Sequence, residues 1–273
     1  MIEALQRMKS PGFLVLLAGV LMGPAFVIAA EETAAATEHA AQAAHGEGEG
    51  VDWQGWRAGN QVSDTASLQR GAANFVNYCL GCHSLKYMRY SRLATDLNIT
   101  TPQLVTNLIP GSAKATDYIV SSFPATEAEA WFGRVPPDLS LITRSRGRDY
   151  VYRFLKGFYV DHTRPTGSNN LALDGAAMPA VLSDLEGVKR AVFAPGEATE
   201  AGKRVERFEV VSPGRLNAAQ YDGFVRDTVN FLDYAGDPSQ VRRRGIGIWV
   251  VLFLLVFTGF AWMLKKEYWK DVH

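Results

Sequence analysis

The sequence predicts a mostly helical domain with long loops, followed by one C-terminal membrane-spanning helix. Three observations carry that prediction. Apolar residues recur at helical spacing in several separate segments, while Gly/Pro-rich stretches between them leave few alternating runs. One stretch near the C-terminus, Gly245 to Leu264, holds no charge over 20 residues. The chain keeps only two cysteines, three positions apart, with a histidine directly after the second.

Taken in order, the chain opens with Lys9 ahead of an apolar stretch, Phe13 to Ala30, that ends in small residues before Glu31 and Glu32. A basic start, an apolar region and a small-residue end predict a secretory signal peptide over 1–30, with Pro24 and the Ala-Ala ending favouring cleavage. Residues 31–50 are rich in Ala, Glu, Gly and His and have little to bury, which predicts a disordered linker with His39 and His45 solvated. The main domain is expected over 51–240. Its first helix is expected at Ser67–Leu85, where Leu68, Ala72, Phe75, Val76 and Leu80 share a face. A short helix is expected at Thr101–Ile109, with Pro102 in its first turn. An aromatic-dense helix is expected at Tyr150–Tyr159. A fourth, Gln220–Tyr234, gathers Tyr221, Phe224, Val225, Thr228, Phe231 and Leu232 on one broad face. Arg204–Val211 is the best strand candidate.

As a helix, 245–264 would measure about 30 Å, the thickness of a hydrocarbon core. Trp249, Trp262, Tyr268 and Trp269 sit near its ends as an aromatic belt would. Arg242, Arg243 and Arg244 flank one end and Lys265, Lys266 and Lys270 the other, so local charge does not orient the span. An exported N-terminus does: the chain returns once, residues 265–273 form a cytoplasmic tail, and the arginines lie outside, against the usual bias. Composition is ordinary, at 47% hydrophobic and 21% charged. A formal net charge of zero and a pI of about 7.0 give nothing to attract nucleic acid.

The chemistry concentrates in FVNYCLGCHSLKYMRYSRL, Phe75 to Leu93. Cys-x-x-Cys serves three chemistries. A dithiol redox site needs a nucleophilic first cysteine at a helix N-terminus, usually in a βαβ pattern, which is missing here. A zinc site needs four ligands, and this motif supplies at most three with no second cysteine pair. Cys-x-x-Cys-His is the pattern for covalent attachment of a c-type haem. Cys79 and Cys82 would form thioethers to two vinyl groups, and His83 would turn its imidazole under the iron. One covalent haem c per chain follows, and a large flat apolar group supplies core that long loops leave out.

The opposite face of the iron needs its own ligand. After His83 the methionines are Met88, Met178 and Met263. Met263 lies within the span, and Met88 follows His83 by only five residues. Met178, in the Gly/Ala-rich DGAAMPAVL with Pro179 behind it, is the expected sixth ligand, with Met88 and His162 as alternatives. A thioether favours reduced iron, raises the potential and closes the site to oxygen. That predicts electron transfer and argues against a peroxidase or ligand sensor.

Three strings, RGAANFVNYCLGCHSLKYMRYSRLATDL (Arg70 to Leu97), VPPDLSLITRSRGRDYVYRFLKGFY (Val135 to Tyr159) and GAAMPAVL, resemble the cytochrome c1 family, and the likeness runs from about Trp53 to the C-terminus. Members are the haem subunits of the bc1, or quinol:cytochrome c reductase, complex. The resemblance implies a class I cytochrome c-like haem domain and an electron-transfer subunit of the respiratory chain with no independent catalysis. It implies electrons arriving from a Rieske iron–sulfur protein and leaving to a soluble or membrane c-type cytochrome. Cytochrome b would be the membrane partner, within a homodimeric complex. The haem domain would lie on the periplasmic side of the bacterial inner membrane. At matching positions Cys79 and Cys82 hold the haem and His83 and Met178 ligate iron. The Arg-x-Arg followed by Asp-Tyr falls on Arg144, Arg146, Asp149 and Tyr150, so Arg146 and Tyr150 would contact a haem propionate. Pro136 and Pro137 would shape the wall beside the haem. The segment before them reads AWFGR where many members carry an Asn-rich stretch. The nearest rival is an anchored c-type cytochrome subunit of another respiratory oxidase or reductase, whose anchor is commonly N-terminal.

Overall fold

The computed structural model of the chain describes residues 50–199 and 202–271. The expected leader, nearly all of the expected linker with His39 and His45, and the last two residues of the tail lie outside the described residues. After a single 3-10 turn at Trp53–Gly55, the helices are α1 (Thr65–Tyr78), α2 (Tyr90–Asp96), α3 (Thr101–Asn107), α4 (Ala125–Phe132) and α5 (Ile142–Arg146). They continue with α6 (Arg148–Lys156), α7 (Ser183–Glu186), α8 (Ala218–Gly236) and α9 (Gln240–Tyr268). Three two-stranded antiparallel pieces join them: β1 (Leu85–Arg89) with β2 (Tyr118–Ile119), β3 (Phe158–Val160) with β4 (Ser168–Asn170), and the hairpin β5 (Gly187–Thr199) with β6 (Gly202–Pro213). Among the described residues, Gly50 and Val51 with 194–199 and 202–206 form a small unit of their own. Asp52–Phe193 and the chain from Arg207 onward form the main one.

The main unit is organised by α1 and α8. Asp64 caps α1 by accepting from the Ser67 amide at 3.1 Å. Asn217 and Gln220 form a capping box at the start of α8. The helices bury Leu68, Ala72 and Phe75 against Val225, Val229 and Phe231, each large side chain contributing about 1.5–3 kcal/mol relative to exposure. They come close at Gly71, where an added Cβ would lie 2.1 Å from the Asp227 carbonyl oxygen. Polar contacts fix the register: Asn74 Nδ2 donates to the Phe224 carbonyl and to Thr228 Oγ1, both at 3.1 Å. Arg70 forks onto Asp227 at 2.5 and 3.0 Å. Helices α5 and α6 pack on the other side of α8.

Two expected helices end early, each for a non-local reason. The first stops at Tyr78, because Leu85 pairs with Ile119 across the sheet and the intervening residues turn. The third stops at Lys156: Asn170 Nδ2 donates to the Phe154 carbonyl at 2.8 Å and the Leu171 amide to the Gly157 carbonyl at 2.9 Å, drawing Phe158 into β3. The strand expected at Arg204–Val211 lies inside β6, whose partner β5 the sequence did not announce.

Beyond α8 only Asp237, Pro238 and Ser239 intervene before α9, a single helix of 29 residues. It is the one described helix long and apolar enough to cross a membrane, and none of it is buried.

Candidate functional site

The C-terminal end of α1 presents the cysteine motif. The Phe75 carbonyl accepts from the amides of Cys79 and Leu80, each at 2.9 Å, and ends the helix. The Cys79 carbonyl then accepts from the amides of Cys82 at 3.0 Å and His83 at 2.8 Å. This double bond folds the five residues into one tight turn, with Leu80 buried as its pin. Ser121 braces it from outside, its hydroxyl donating to the Gly81 carbonyl and its amide to Ser84 Oγ, both at 2.9 Å.

Cys79, Cys82 and His83 line one cavity together with Met178 and Pro137. The space is about 730 Å³ counting its open mouth. Tyr78, Phe132, Val135, Pro136, Ala177, Pro179 and Val181 make the walls apolar, and Arg134 is the charged side chain among the lining residues.

His83 is held from behind. Its Nδ1 lies 2.8 Å from the Pro137 carbonyl oxygen. A carbonyl oxygen can only accept, so Nδ1 carries the proton and Nε2 keeps its lone pair. Burial lowers the imidazole's proton affinity, outweighing the opposing pull of the Pro137 carbonyl and the Asp138 charge, and favours the neutral ligand form. Pro137 is itself positioned: Asp138 accepts from the Lys86 amide at 2.9 Å and the Ser140 amide at 3.0 Å, and the Leu139 amide donates to the Ser84 carbonyl at 2.8 Å. Orienting a ligand histidine through its second nitrogen is the usual arrangement behind a metal.

The Cys79 thiol is pushed up to about 12, first by burial and then by the neighbouring Cys82. A dithiol oxidoreductase needs a depressed thiol at this position, so the electrostatics run against that chemistry.

Met178 also lines the cavity, on a loop that follows the β3–β4 hairpin. Asn169, 2% exposed, organises the base of this loop. Its amide nitrogen donates to Asp161 at 3.0 Å and Asp174 at 2.8 Å, and its oxygen accepts from the Gly175 amide at 2.9 Å. Gly175 sits at φ +71°, which a glycine adopts without strain. Neither alternative to Met178 lines the cavity. Met88 is in the core on β1, and His162 is exposed in the turn after β3.

The donor set fits a c-type haem: two free thiols, an imidazole with its outward nitrogen unprotonated, a thioether, and apolar walls between them. Arg146 and Tyr150 do not line this cavity. They belong to a separate polar cleft with Arg144, Arg148, Asp149, Arg153 and Asp233, where the Arg146 guanidinium lies 5.7 Å from the Tyr150 ring centre. Phe132 and Arg134 are lining residues that the sequence did not single out. They belong to the AWFGR segment, whose departure from the family pattern was the available signal. The carbonyl role of Pro137 had no side-chain signal at all.

A sequence model described as the Cytochrome C1 family matches residues 56–272. The chain is 50% identical over 212 residues to a protein of Allochromatium vinosum named cytochrome c1, covering 78% of this chain and 87% of that one. It is 43% identical over 211 residues to a protein of Nitrosomonas europaea named ammonia monooxygenase gamma subunit, covering 77% and 86%.

Proposed function

The chain belongs to the cytochrome c1 family, and from that premise we propose that it is the membrane-anchored, mono-haem electron carrier of a quinol:cytochrome c reductase complex. The observation that carries this reading is the single cavity lined by Cys79, Cys82, His83 and Met178. In it, Cys79 and Cys82 would hold one haem c per chain through thioethers, and His83 Nε2 and the Met178 sulfur would serve as the iron ligands. When bound, the haem supplies one-electron exchange between ferric and ferrous iron.

The chain's own residues set the terms of that exchange. Pro137 fixes the imidazole tautomer and raises its basicity, the Asn169-braced loop delivers Met178, and Phe132, Val135, Pro136 and Val181 give the cavity apolar walls. With His83 and Met178 both as ligands the iron would have no position for a small substrate, which suits electron transfer. By family likeness the electron arrives from a Rieske iron–sulfur protein and leaves to a soluble or membrane c-type cytochrome. Cytochrome b is the membrane partner in a homodimeric assembly, and α9 anchors a haem domain on the periplasmic side of the bacterial inner membrane. Arg146 and Tyr150 enter as propionate contacts through the matching family motif alone, since they line the other cleft.

The test is a visible spectrum of the purified chain denatured in alkaline pyridine. One c-type haem per chain is expected, and a haem that extracts into acid acetone overturns the reading. Co-purification with cytochrome b separates this assignment from a cytochrome subunit of another redox complex, the context that the name of the Nitrosomonas europaea relative raises for that protein.

A further inference from the structure

Arg242, Arg243 and Arg244 stand at the head of the apolar span, and nothing in the haem cavity uses them. In the structure they belong to a larger group. Asp233 and Asp237 are four residues apart, at the end of α8 and just beyond it. Asp233 holds Arg148 at 3.7 Å, and Asp237 holds both Arg144 at 3.3 Å and Arg243 at 2.6 Å. One carboxylate, 9% exposed, therefore ties the first turn of α9 to α5. Arg242 and Arg244 have no carboxylate partner among the described residues. Three guanidinium groups thus serve two carboxylates, Arg242 and Arg244 add two more positive charges beside Arg243 in the sequence, and positive charge is in excess. The side chains of Arg144, Arg148 and Arg243 remain 51%, 50% and 60% exposed. Each guanidinium has five N–H donors, so donors stay open after the carboxylate is served.

The depth of this group follows from the helix, given the reading above that α9 spans a bilayer. Arg243 precedes Gly245 by two residues, about 3 Å along the axis. The headgroup layer on each side of the hydrocarbon is roughly 5–8 Å thick. Arg243, and Arg144 held by the same carboxylate, therefore fall among lipid phosphates. We propose that Arg144, Arg148 and Arg242–Arg244 form a binding site for the phosphodiester headgroups of anionic lipids, at the end of the span that adjoins the haem domain. Planar guanidinium forks match phosphate oxygens two at a time, and a basic residue close to an anionic surface raises affinity about fivefold. The usual excess of basic residues on the cytoplasmic side gives no account of these arginines when the haem domain is exported.

The test uses full-length, haem-loaded protein in dodecyl maltoside, with phosphatidylglycerol or phosphatidylcholine added and bound lipid counted by native mass spectrometry. Phosphatidylglycerol should be retained in preference. Arg242→Gln with Arg244→Gln, which removes no ion pair within the chain, should weaken retention about 25-fold at fivefold per arginine. Adding Arg148→Gln should weaken it further, and raised salt should weaken the unaltered protein. Lys265→Gln with Lys266→Gln and Lys270→Gln, at the far end of α9, should leave most of the retention in place. Retention unchanged in the arginine variants, or lost only in the lysine variant, overturns the site. Loss of cytochrome b from the arginine variants with lipid retention intact makes an acidic protein surface the occupant, and overturns it equally. Carbonate extraction separates the two readings. A chain stripped from membranes fails as a spanning protein and takes the lipid site with it, whereas a chain that stays without arginine-dependent lipid overturns the site alone.

Discussion

Where α1 crosses α8, each side chain has its partner within the chain: Phe75 on Phe231 with ring centres 5.9 Å apart, Asn74 on Thr228, Arg70 on Asp227. At the end of α1, Tyr78 still packs edge-on to Phe224 at 5.2 Å, but just past it Cys79 and Cys82 line a cavity. The loops bearing Val135–Pro137 and Ala177–Val181 face each other across an apolar space, and burial of those walls depends on what fills it. The crossing is thus close-packed, as protein interiors are, while the cavity side is an apolar surface made for a flat guest. Substitutions should separate the two: damage to the crossing should be felt in stability, damage to the cavity in cofactor retention and potential.

The largest effect is expected from Cys79→Ala with Cys82→Ala. No haem should survive denaturation, and near-ultraviolet dichroism from the cavity aromatics should collapse, while far-ultraviolet dichroism keeps the helical signal of α1 and α8. Complete loss of helix would show that the crossing is not self-sufficient and so break the comparison.

Met178→Leu should leave the haem attached and the fold intact. The reduced protein should now bind carbon monoxide. Its potential should fall by a sizeable part of the roughly 0.8 V that axial ligands command. Met88→Leu, in the core, should cost less than about 1.5 kcal/mol as a volume-conserving swap and leave the potential in place. If Met88→Leu moves the potential and Met178→Leu does not, the ligand assignment reverses.

Gly71→Val attacks the crossing. Its Cβ would meet the Asp227 carbonyl at 2.1 Å and Phe231 Cβ at 2.6 Å, so the helices must part. A cost of about 3 kcal/mol is expected from overpacking of this kind, read as a lowered unfolding midpoint with the midpoint potential nearly unchanged.

A pH series sharpens the cavity side. Asp161 lies under the Met178 loop, and the Thr163 hydroxyl, the Thr163 amide and the Asn169 amide hold its carboxyl down to about 2. The folded value is below the unfolded one, so this support is complete above about 4 and is lost as pH falls through 2. Carbon monoxide binding to reduced protein should therefore rise across that window. Asn169→Ala, which removes the buried brace, should bring part of the same behaviour to neutral pH at a cost of about 1–3 kcal/mol.

The smallest effect is expected at Arg134. Losing an exposed cation beside the cavity in Arg134→Gln should lower the potential by some tens of millivolts, the scale of a charge acting at about 10 Å through a protein-like dielectric. Voltammetry of the purified protein measures it, and a rise in potential would contradict the placement of Arg134 at the cavity.

The sequence showed the crossing clearly because both of its helices carry one-sided apolar faces. Tyr221, Val225, Thr228, Phe231 and Leu232 were legible as a stripe, and they are buried. The cysteine motif and Met178 were legible through chemistry, since few functions need those side chains in that order, and the structure sets them around one space. What escaped depends on backbone groups or distant pairing. Pro137 acts through its carbonyl, which every residue has. The end of α1 depends on Leu85 finding Ile119. Strand β5 is recognisable only beside β6. Arg146 and Tyr150 were drawn from a family motif, which fixes order along the chain and leaves open which hollow a side chain enters.

The link between α8 and α9 has a consequence for traffic. Three residues, Asp237 to Ser239, reach at most about 10 Å when stretched, and Asp237 is already clasped to Arg243 and Arg144. The core helix thus passes almost directly into α9, the anchor of the proposed reading, like a lamp post set in pavement. On the function proposed above, a haem on so short a mooring would not travel, and donor and acceptor would both have to visit it. The turnover of such a relay is then set by how fast its callers arrive and leave.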